Sequence, residues 1–358
     1  MLLFCIEKEN EMEKKVIAVL FGGNSSEYEV SLQSVSSVLE NINREKYEVV
    51  PIGITRQGEW FYYKGEVDKI KDNTWSEDIN NLCPIVVSQN PAVSGIIELG
   101  KSENRIMKLD LVFPVLHGKN GEDGTVQGVF ELANIPVVGC GTLSSALCMD
   151  KDMAHKLVCA AGISVSKSVT IEQSMMAELS KFTDDLRYPL FVKPVRAGSS
   201  FGITKIYKAD DLDVAVKLAF QHDDKVIIEE NIDGFEVGCA ILGKEELIVG
   251  RVDEIELTEG FFDYTEKYTL KSSKIHMPAR IDEQSEKRIQ ETAIKIYRTL
   301  GCSGFARVDM FYTPSGEIVF NEVNTIPGFT SHSRYPNMMK GIGISFAEML
   351  DKLIGLYV

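Results

Sequence analysis

Residues 304–333 read GFARVDMFYTPSGEIVFNEVNTIPGFTSHS, and the alternation inside them decides the fold. Arg307 and Asp309 alternate with Phe305, Val308 and Met310, and Pro314-Ser315-Gly316 signals a turn. A second apolar run, residues 318–320, then delivers Glu322 and Asn324 before Pro327-Gly328. Side chains at i and i+2 share one face of a strand. The hairpin therefore aims a cation, two carboxylates and an amide oxygen at one patch. Such hard oxygen ligands suit Mg²⁺, which usually takes one or two carboxylates plus substrate phosphates. The same pattern also fits an amphipathic hairpin with a solvated face, but the adjoining NEVNTIPG loop favours binding.

Working outward, residues 283–300 read as a helix, and residues 226–230, 236–242 and 247–256 as strands. Residues 190–193 form a strand that runs into the loop AGSSFG at 197–202, followed by strand 203–207 and helix 212–220. Nearer the start, KVIAVLF (15–21) is a buried strand that enters Gly22-Gly23-Asn24-Ser25-Ser26 and a helix over 27–41. Strands follow at 47–54, 96–99 and 109–116, then a helix at 121–133 and a short strand at 135–138. Such alternation predicts an α/β fold with a parallel N-terminal sheet. Ligands sit beyond the carboxyl ends of such strands, where Gly22-Gly23 and His117-Gly118 lie. The character changes from Thr142, and residues 150–161 read as a helix.

The 358 residues predict two or three domains. Hydrophobic content of 44% and charged content of 25% are those of a soluble globular protein. A net charge of -15 argues against nucleic-acid or anionic-membrane partners, so an anionic ligand would need clustered Lys and Arg. Seven cysteines without a CxxC pair fit reduced thiols of a cytoplasmic enzyme, and five histidines without HxxxH spacing give no zinc site. No apolar run approaches a membrane span. Residues 1–11 read as an extension, or as the product of an upstream start with Met12 as the true one.

Lys193 ends a strand beside a Gly/Ser loop that exposes N–H groups to an anion and can move as a lid. Lys151, at a helix start, is a second phosphate contact or a solvated lysine. Residues 227–232 (IIEENI) run from strand to linker, either reading a base and ribose or ending a strand with charge. Residues 260–268 (GFFDYTEKY) form an aromatic, charged loop of the kind that makes lids.

In this order the blocks GGNSSEYEVSL, VLHGKNGEDGTVQG, SALCMDK, FVKPVRAGSSFG, EENIDGFEVGCAILG, FDYTEKY, RVDM and NEVNTIPGFTSHSRYP resemble the D-alanine–D-alanine ligase family of ATP-grasp enzymes. They span residues 13–355. The resemblance implies an N-terminal parallel-sheet α/β (pre-ATP-grasp) domain followed by a two-subdomain ATP-grasp α+β fold. The implied divisions are a substrate domain at 13–139, a central subdomain at 140–230, and a subdomain with metal site and lid at 231–358. ATP is the implied co-substrate. Asp309, Glu322 and Asn324 would hold two Mg²⁺ ions, with Mn²⁺ as an alternative. Lys151 and Lys193 would grip phosphate oxygens, and Lys267 would approach the γ-phosphate. Glu229, Glu230, Ile232 and Glu236 would line the adenine–ribose pocket, partly through backbone groups. Glu27 would fix the ammonium of the first D-alanine, with His117 nearby and Ser199 linking Glu27 to Tyr268. Arg307 and the Gly328 amide would stabilise the tetrahedral intermediate, and Ser333 would hold the second substrate's carboxylate. The family is dimeric, so a homodimer is expected.

The family divides by second substrate. The lid sequence EKYTLKSS keeps Lys267-Tyr268 and lacks the histidine of D-lactate ligases, so an amine is expected. Arg334 stands where D-alanine ligases carry an apolar residue. It either donates to the hydroxyl of D-serine or serves as a structural ion-pair partner, since the D-lactate branch also carries SRYP. A site that demands a hydroxyl rejects its absence by roughly 10⁴-fold, whereas an apolar pocket rejects an added one by only about 10²-fold. Lid and SRYP together are most similar to the vancomycin-resistance D-alanine–D-serine ligases of the G type, with a D-alanine–D-alanine ligase as the alternative. Ala197 departs from the glutamate that many D-alanine ligases carry there.

Overall fold

The structure is a computed structural model describing residues 14–100, 103–198, 201–257 and 273–358. Three sheets organise it. The first holds β1 (Lys15–Gly22), β2 (Tyr47–Ile54), β3 (Trp60–Tyr63), β4 (Leu82–Val87), β5 (Gly95–Glu98), β6 (Arg105–Lys108) and β7 (Leu111–Pro114), in the order β6-β5-β4-β3-β2-β1-β7. Only β2, β1 and β7 run parallel; β2 through β6 form an antiparallel meander. The expected parallel sheet is therefore mixed. The parallel part carries the apolar runs, with residues 17–21 of β1 wholly buried, as strands covered on both faces must be. The short strand expected at 135–138 reduces to one bridge between Val112 and Val137. The helix expected at 121–133 begins at Thr125, after Gly124 in the left-handed region (φ 90°).

A tiny strand, β8 (Ser164–Val165), precedes the second sheet of β9 (Ser168–Glu172), β10 (Leu190–Pro194), β11 (Thr204–Ile206) and β12 (Lys225–Glu230). Its order is β11-β10-β12-β9, all antiparallel, and the helix Leu212–Ala219 covers one face with Leu212, Ala215, Val216 and Ala219. The third sheet is built from β13 (Phe235–Gly243), β14 (Leu247–Leu257), β15 (Ser273–His276), β16 (Gly304–Tyr312) and β17 (Ile318–Asn324). Its order is β15-β14-β13-β16-β17-β8, with β8 parallel to β17. The helices Lys151–Ala160 and Glu283–Thr299 pack on one face. Asp150 and Asp282 cap these helices by accepting from Met153 N and Ser285 N.

The other face of the third sheet joins the core of the first. Phe305 and Phe329 share a buried cluster with Phe113 of β7, Tyr335, and the helix Phe346–Gly355. Their rings meet edge to face, Phe113–Phe329 at 6.0 Å and Phe305–Phe329 at 5.3 Å. Phe329, 1% exposed, thus pins the loop after β17 between the first and third sheets, and its loss would cost roughly 3–5 kcal/mol. Among the described residues no helix is long and apolar enough to cross a membrane.

Candidate active site

The hairpin pairs as its alternation implies. β16 and β17 set Arg307 opposite Asn324 and Asp309 opposite Glu322, so all four side chains share a face. The register then shifts, because Met310 pairs with Phe320 and leaves Asn321 over. This bulge frees the Asn321 carbonyl, which accepts from His155 Nε2 at 2.9 Å.

Asp309 is 1% exposed and heavily engaged. Arg307 grips it with Nε at 2.8 Å and Nη2 at 2.7 Å, and Asn324 Nδ2 donates to Oδ2 at 2.9 Å. Burial opposes the charge on Arg307, but Asp309 beside it leaves the guanidinium still more firmly protonated. Asn324 turns its amide nitrogen to Asp309, so its amide oxygen is the atom that could serve a cation. Among the described residues no three His, Cys, Asp or Glu side chains converge as a preformed metal centre. The donor set is instead two carboxylates and one amide oxygen on one face, which suits a hard divalent cation that keeps substrate oxygens in its shell.

A cavity of about 480 Å³ opens between the second and third sheets. Lys151, Lys193, Glu229, Glu230, Ile232, Glu236 and Glu322 all line it, so six residues expected for the nucleotide meet there with Glu322 of the hairpin, whose face also carries Asp309 and Asn324. Phe191, Ile203, Leu257 and Phe311 supply apolar wall. Lys193 Nζ lies 2.6 Å from Glu229 Oε2, and Lys151 Nζ lies 3.7 Å from Glu322 Oε2 while donating to the Ala197 carbonyl at 2.9 Å. Burial would raise the pKa of Glu229, but Lys193 and His155 outweigh it and hold this carboxyl below its usual range. Glu230 turns its carboxylate to Arg187 (2.9 Å) and donates its N–H to the Lys167 carbonyl at 2.9 Å.

The amino-acid side of the site lies beyond β1 and β7. Glu27, 7% exposed, sits so near two backbones that a Cβ at Gly118 or Gly198 would stand 2.5 or 2.7 Å from its Oε2. His117 is buried, and burial lowers its basicity. Its Nδ1 donates to the Ile326 carbonyl at 2.9 Å, and Ser34 Oγ lies 3.0 Å from Nε2. Glu122 accepts from the Gly118 and Ile326 amides at 2.8 and 3.1 Å. Burial first and the charge of Glu27 second push the Glu122 carboxyl up to about 8. Ser333 Oγ meets Thr330 N at 3.0 Å and Thr330 Oγ1 at 2.8 Å, and Ser333 precedes the helix Arg334–Lys340. Gly328 lies between the anchored residues Ile326 and Phe329.

Arg334 forms the ion pairs that were one of its two expected roles. Its guanidinium is buried, with Nε and Nη2 donating to Asp253 at 2.8 Å each and Nη1 to Glu236 at 2.9 Å. Nη2 also lies 3.5 Å from Asp309. Three of its five donors are committed to carboxylates, which realises the ion-pair role. Ser199, Lys267 and Tyr268 lie outside the described residues.

Sequence reasoning missed His155, Asp253 and Ser34, and named the GEDG block without a role for Glu122. Asp253 is 0% exposed but sits beside Glu254 in the charged RVDEIE part of LIVGRVDEIEL, so its burial left no mark in the sequence. Ser34 and His155 sit on amphipathic helices where nothing marks them.

Family models for the D-ala D-ala ligase N-terminus and C-terminus match residues 16–140 and 157–355. The chain is 44% identical to the vancomycin C-type resistance protein VanC1 of Enterococcus gallinarum, over 96% of this chain and 98% of that protein. It is 42% identical to a D-alanine–D-alanine ligase of Caldicellulosiruptor bescii, over 97% and 96%. Among solved structures, the VanG D-Ala:D-Ser ligase from Enterococcus faecalis aligns at 72% identity and a TM-score of 0.91, covering 97% of this chain and 100% of that one. A D-alanine–D-alanine ligase from Coxiella burnetii aligns at 33% identity and a TM-score of 0.85, covering 97% and 94%. With the hairpin, the cavity and the Glu27 cradle assembled on these folds, the chain belongs to the D-alanine–D-alanine ligase family and is an ATP-dependent ligase.

Proposed function

We propose that this chain joins D-alanine to D-serine through a D-alanyl phosphate, making a peptidoglycan precursor with lowered vancomycin affinity. The observation that carries the reading is the 72% identity to the VanG D-Ala:D-Ser ligase over 97% of the chain. The alternative is D-alanine–D-alanine ligation, favoured by the commitment of Arg334 to Asp253 and Glu236.

In the first step a carboxylate oxygen of D-alanine attacks the γ-phosphorus of ATP, and the bond to ADP breaks. Glu27 holds the ammonium, and Lys151 and Lys193 exchange their carboxylates for phosphate oxygens. Asp309, Glu322 and Asn324 would hold Mg²⁺ or Mn²⁺, which neutralises phosphate charge when bound. Glu229, Glu230, Ile232 and Glu236 line the adenine and ribose. In the second step the deprotonated amine attacks the acyl carbon, and the C–O bond to phosphate breaks. Arg307 and the Gly328 amide face the oxyanion; one such donor is worth about 3–4 kcal/mol of barrier. Ser333 receives the second carboxylate, and Arg334 offers its remaining N–H bonds to the hydroxyl. Ser199, Lys267 and Tyr268 belong to the covers that exclude water from the acyl phosphate.

The domain divisions 13–139, 140–230 and 231–358, a homodimeric state and a cytoplasmic location belong to the same reading. Phosphate release and dipeptide formation, measured with D-alanine plus D-serine, D-alanine or D-lactate in turn, test it. A higher kcat/KM for D-alanine than for D-serine would transfer the assignment to the alternative, and no dipeptide from any pair would overturn both.

A further inference from the structure

The backbone of the loop after β17 is hydrogen-bonded by three side chains from the N-terminal part of the chain, Ser34, His117 and Glu122. The Ile326 peptide is gripped on both sides: Glu122 accepts its N–H at 3.1 Å, and His117 Nδ1 donates to its C=O at 2.9 Å. Because a carbonyl only accepts, Nδ1 carries the ring proton, and the neutral Nε2 takes the hydroxyl proton of Ser34 at 3.0 Å. Ser34 Oγ in turn accepts from Phe329 N at 3.3 Å. The second oxygen of Glu122 accepts from Gly118 N at 2.8 Å, and Gly118 abuts the Glu27 carboxylate. One side chain therefore ties the backbone beside the first substrate's ammonium site to the backbone two residues before Gly328.

We propose that Glu122 is a positioning residue for acyl transfer: by bridging Gly118 N and Ile326 N it sets the Gly328 amide against the carbonyl of the bound D-alanyl group. This rests on the reading of that amide as an oxyanion donor. A displacement of about 1 Å in such a site costs on the order of a hundredfold in rate. Glutamine cannot replace this side chain, because its amide nitrogen cannot accept from an N–H, whereas both oxygens of a carboxyl group accept even when one carries a proton.

The test compares the full-length wild type with Glu122→Gln and Glu122→Ala, using ATP, D-alanine and D-serine. Turnover is expressed per ADP-binding site, so that unfolded protein is not counted. Glu122→Gln is expected to lower kcat at least tenfold with KM for ATP within twofold. Misplaced oxyanion donors slow attack by the amine while water still consumes the acyl phosphate. The ratio of phosphate released to dipeptide formed is therefore expected to rise at least twofold above the wild-type ratio. Glu122→Ala is expected to exceed both effects, and if it binds no ADP, Glu122→Gln alone decides. A kcat within threefold of wild type overturns the proposal, and so does a fall in kcat with the phosphate-to-dipeptide ratio unchanged. Failure of the wild type to make dipeptide would instead overturn the function, so the two failures are distinguishable.

Discussion

Arg334→Leu separates the two roles open to this arginine. In the native site Asp253 is 0% exposed and accepts two N–H bonds from Arg334 and one from Gly238 N at 3.0 Å. Removing the guanidinium strands a buried carboxylate with one neutral donor, and breaking such a pair costs roughly 3–5 kcal/mol. Glu236 loses its 2.9 Å partner as well. The single variant would thus mix a stability defect with any change of specificity. In Arg334→Leu/Asp253→Asn the amide oxygen still accepts from Gly238 N and no charge is buried. We expect this pair to recover all but about 1–2 kcal/mol of the loss. Urea unfolding monitored by tryptophan fluorescence measures both variants. The ratio of kcat/KM for D-serine to that for D-alanine, taken on the double variant, then reports recognition. Losing one or two hydroxyl contacts corresponds to about 1–3 kcal/mol, a tenfold to hundredfold fall in that ratio. A ratio within twofold of wild type would refute recognition by Arg334, and a single variant within 1 kcal/mol of wild type (a bound set well below the pair-breaking cost) would refute the burial argument.

Arg307→Ala should lower turnover by roughly a hundredfold or more while ADP still binds, and Arg307→Lys should restore little, since an ammonium cannot make the paired contacts to Asp309. Near-normal steady-state turnover in either variant would sink the assignment. Chelation with EDTA should abolish ligation, and excess Mg²⁺ or Mn²⁺ should restore it; activity that persists in chelator would contradict the metal role of Asp309, Glu322 and Asn324. Glu122 ionises near 4.5 when unfolded and near 8 when folded, so between those pH values the native state keeps a proton that the unfolded chain has released. Its contribution to stability is complete below 4.5 and is lost as pH rises through 8, by at most roughly 3–5 kcal/mol. Urea unfolding from pH 5 to pH 9 should therefore be flatter in Glu122→Gln than in wild type, and parallel curves would disprove the shift.

What the sequence made legible were features of short range. The β16–β17 face could be read because two-residue periodicity needs no tertiary knowledge, and Lys151 and Lys193 because each begins or ends an element. The bulge at Asn321 left no sequence mark, since it exists only as a mismatch of register between two strands. Arg334 and Asp253 stand 81 residues apart, so a residue conspicuous for its charge gave no hint that its donors were already taken. In the first sheet, β6 (RIMK) is largely exposed and β3 (WFYY) only four residues long, so neither carried the apolar run by which β1 was found.

The cations around the cavity have a consequence for what can enter it. Lys193 faces Glu229, Lys151 faces Glu322, and Arg307 faces Asp309. Each of these three cations stands against a carboxylate, and carboxylates outnumber lysines and arginines in the cavity wall, so the pocket offers no strong positive field to a bare polyanion. A triphosphate arriving alone must pull Lys193 from the buried Glu229 and Lys151 from Glu322. Accompanied by divalent cations, it trades partners instead: carboxylates pass to the metal and lysines to the phosphates. Discrimination between complexed and free nucleotide is then a property of the paired, carboxylate-rich lining of the cleft, and the affinities for nucleotide and cation must rise together.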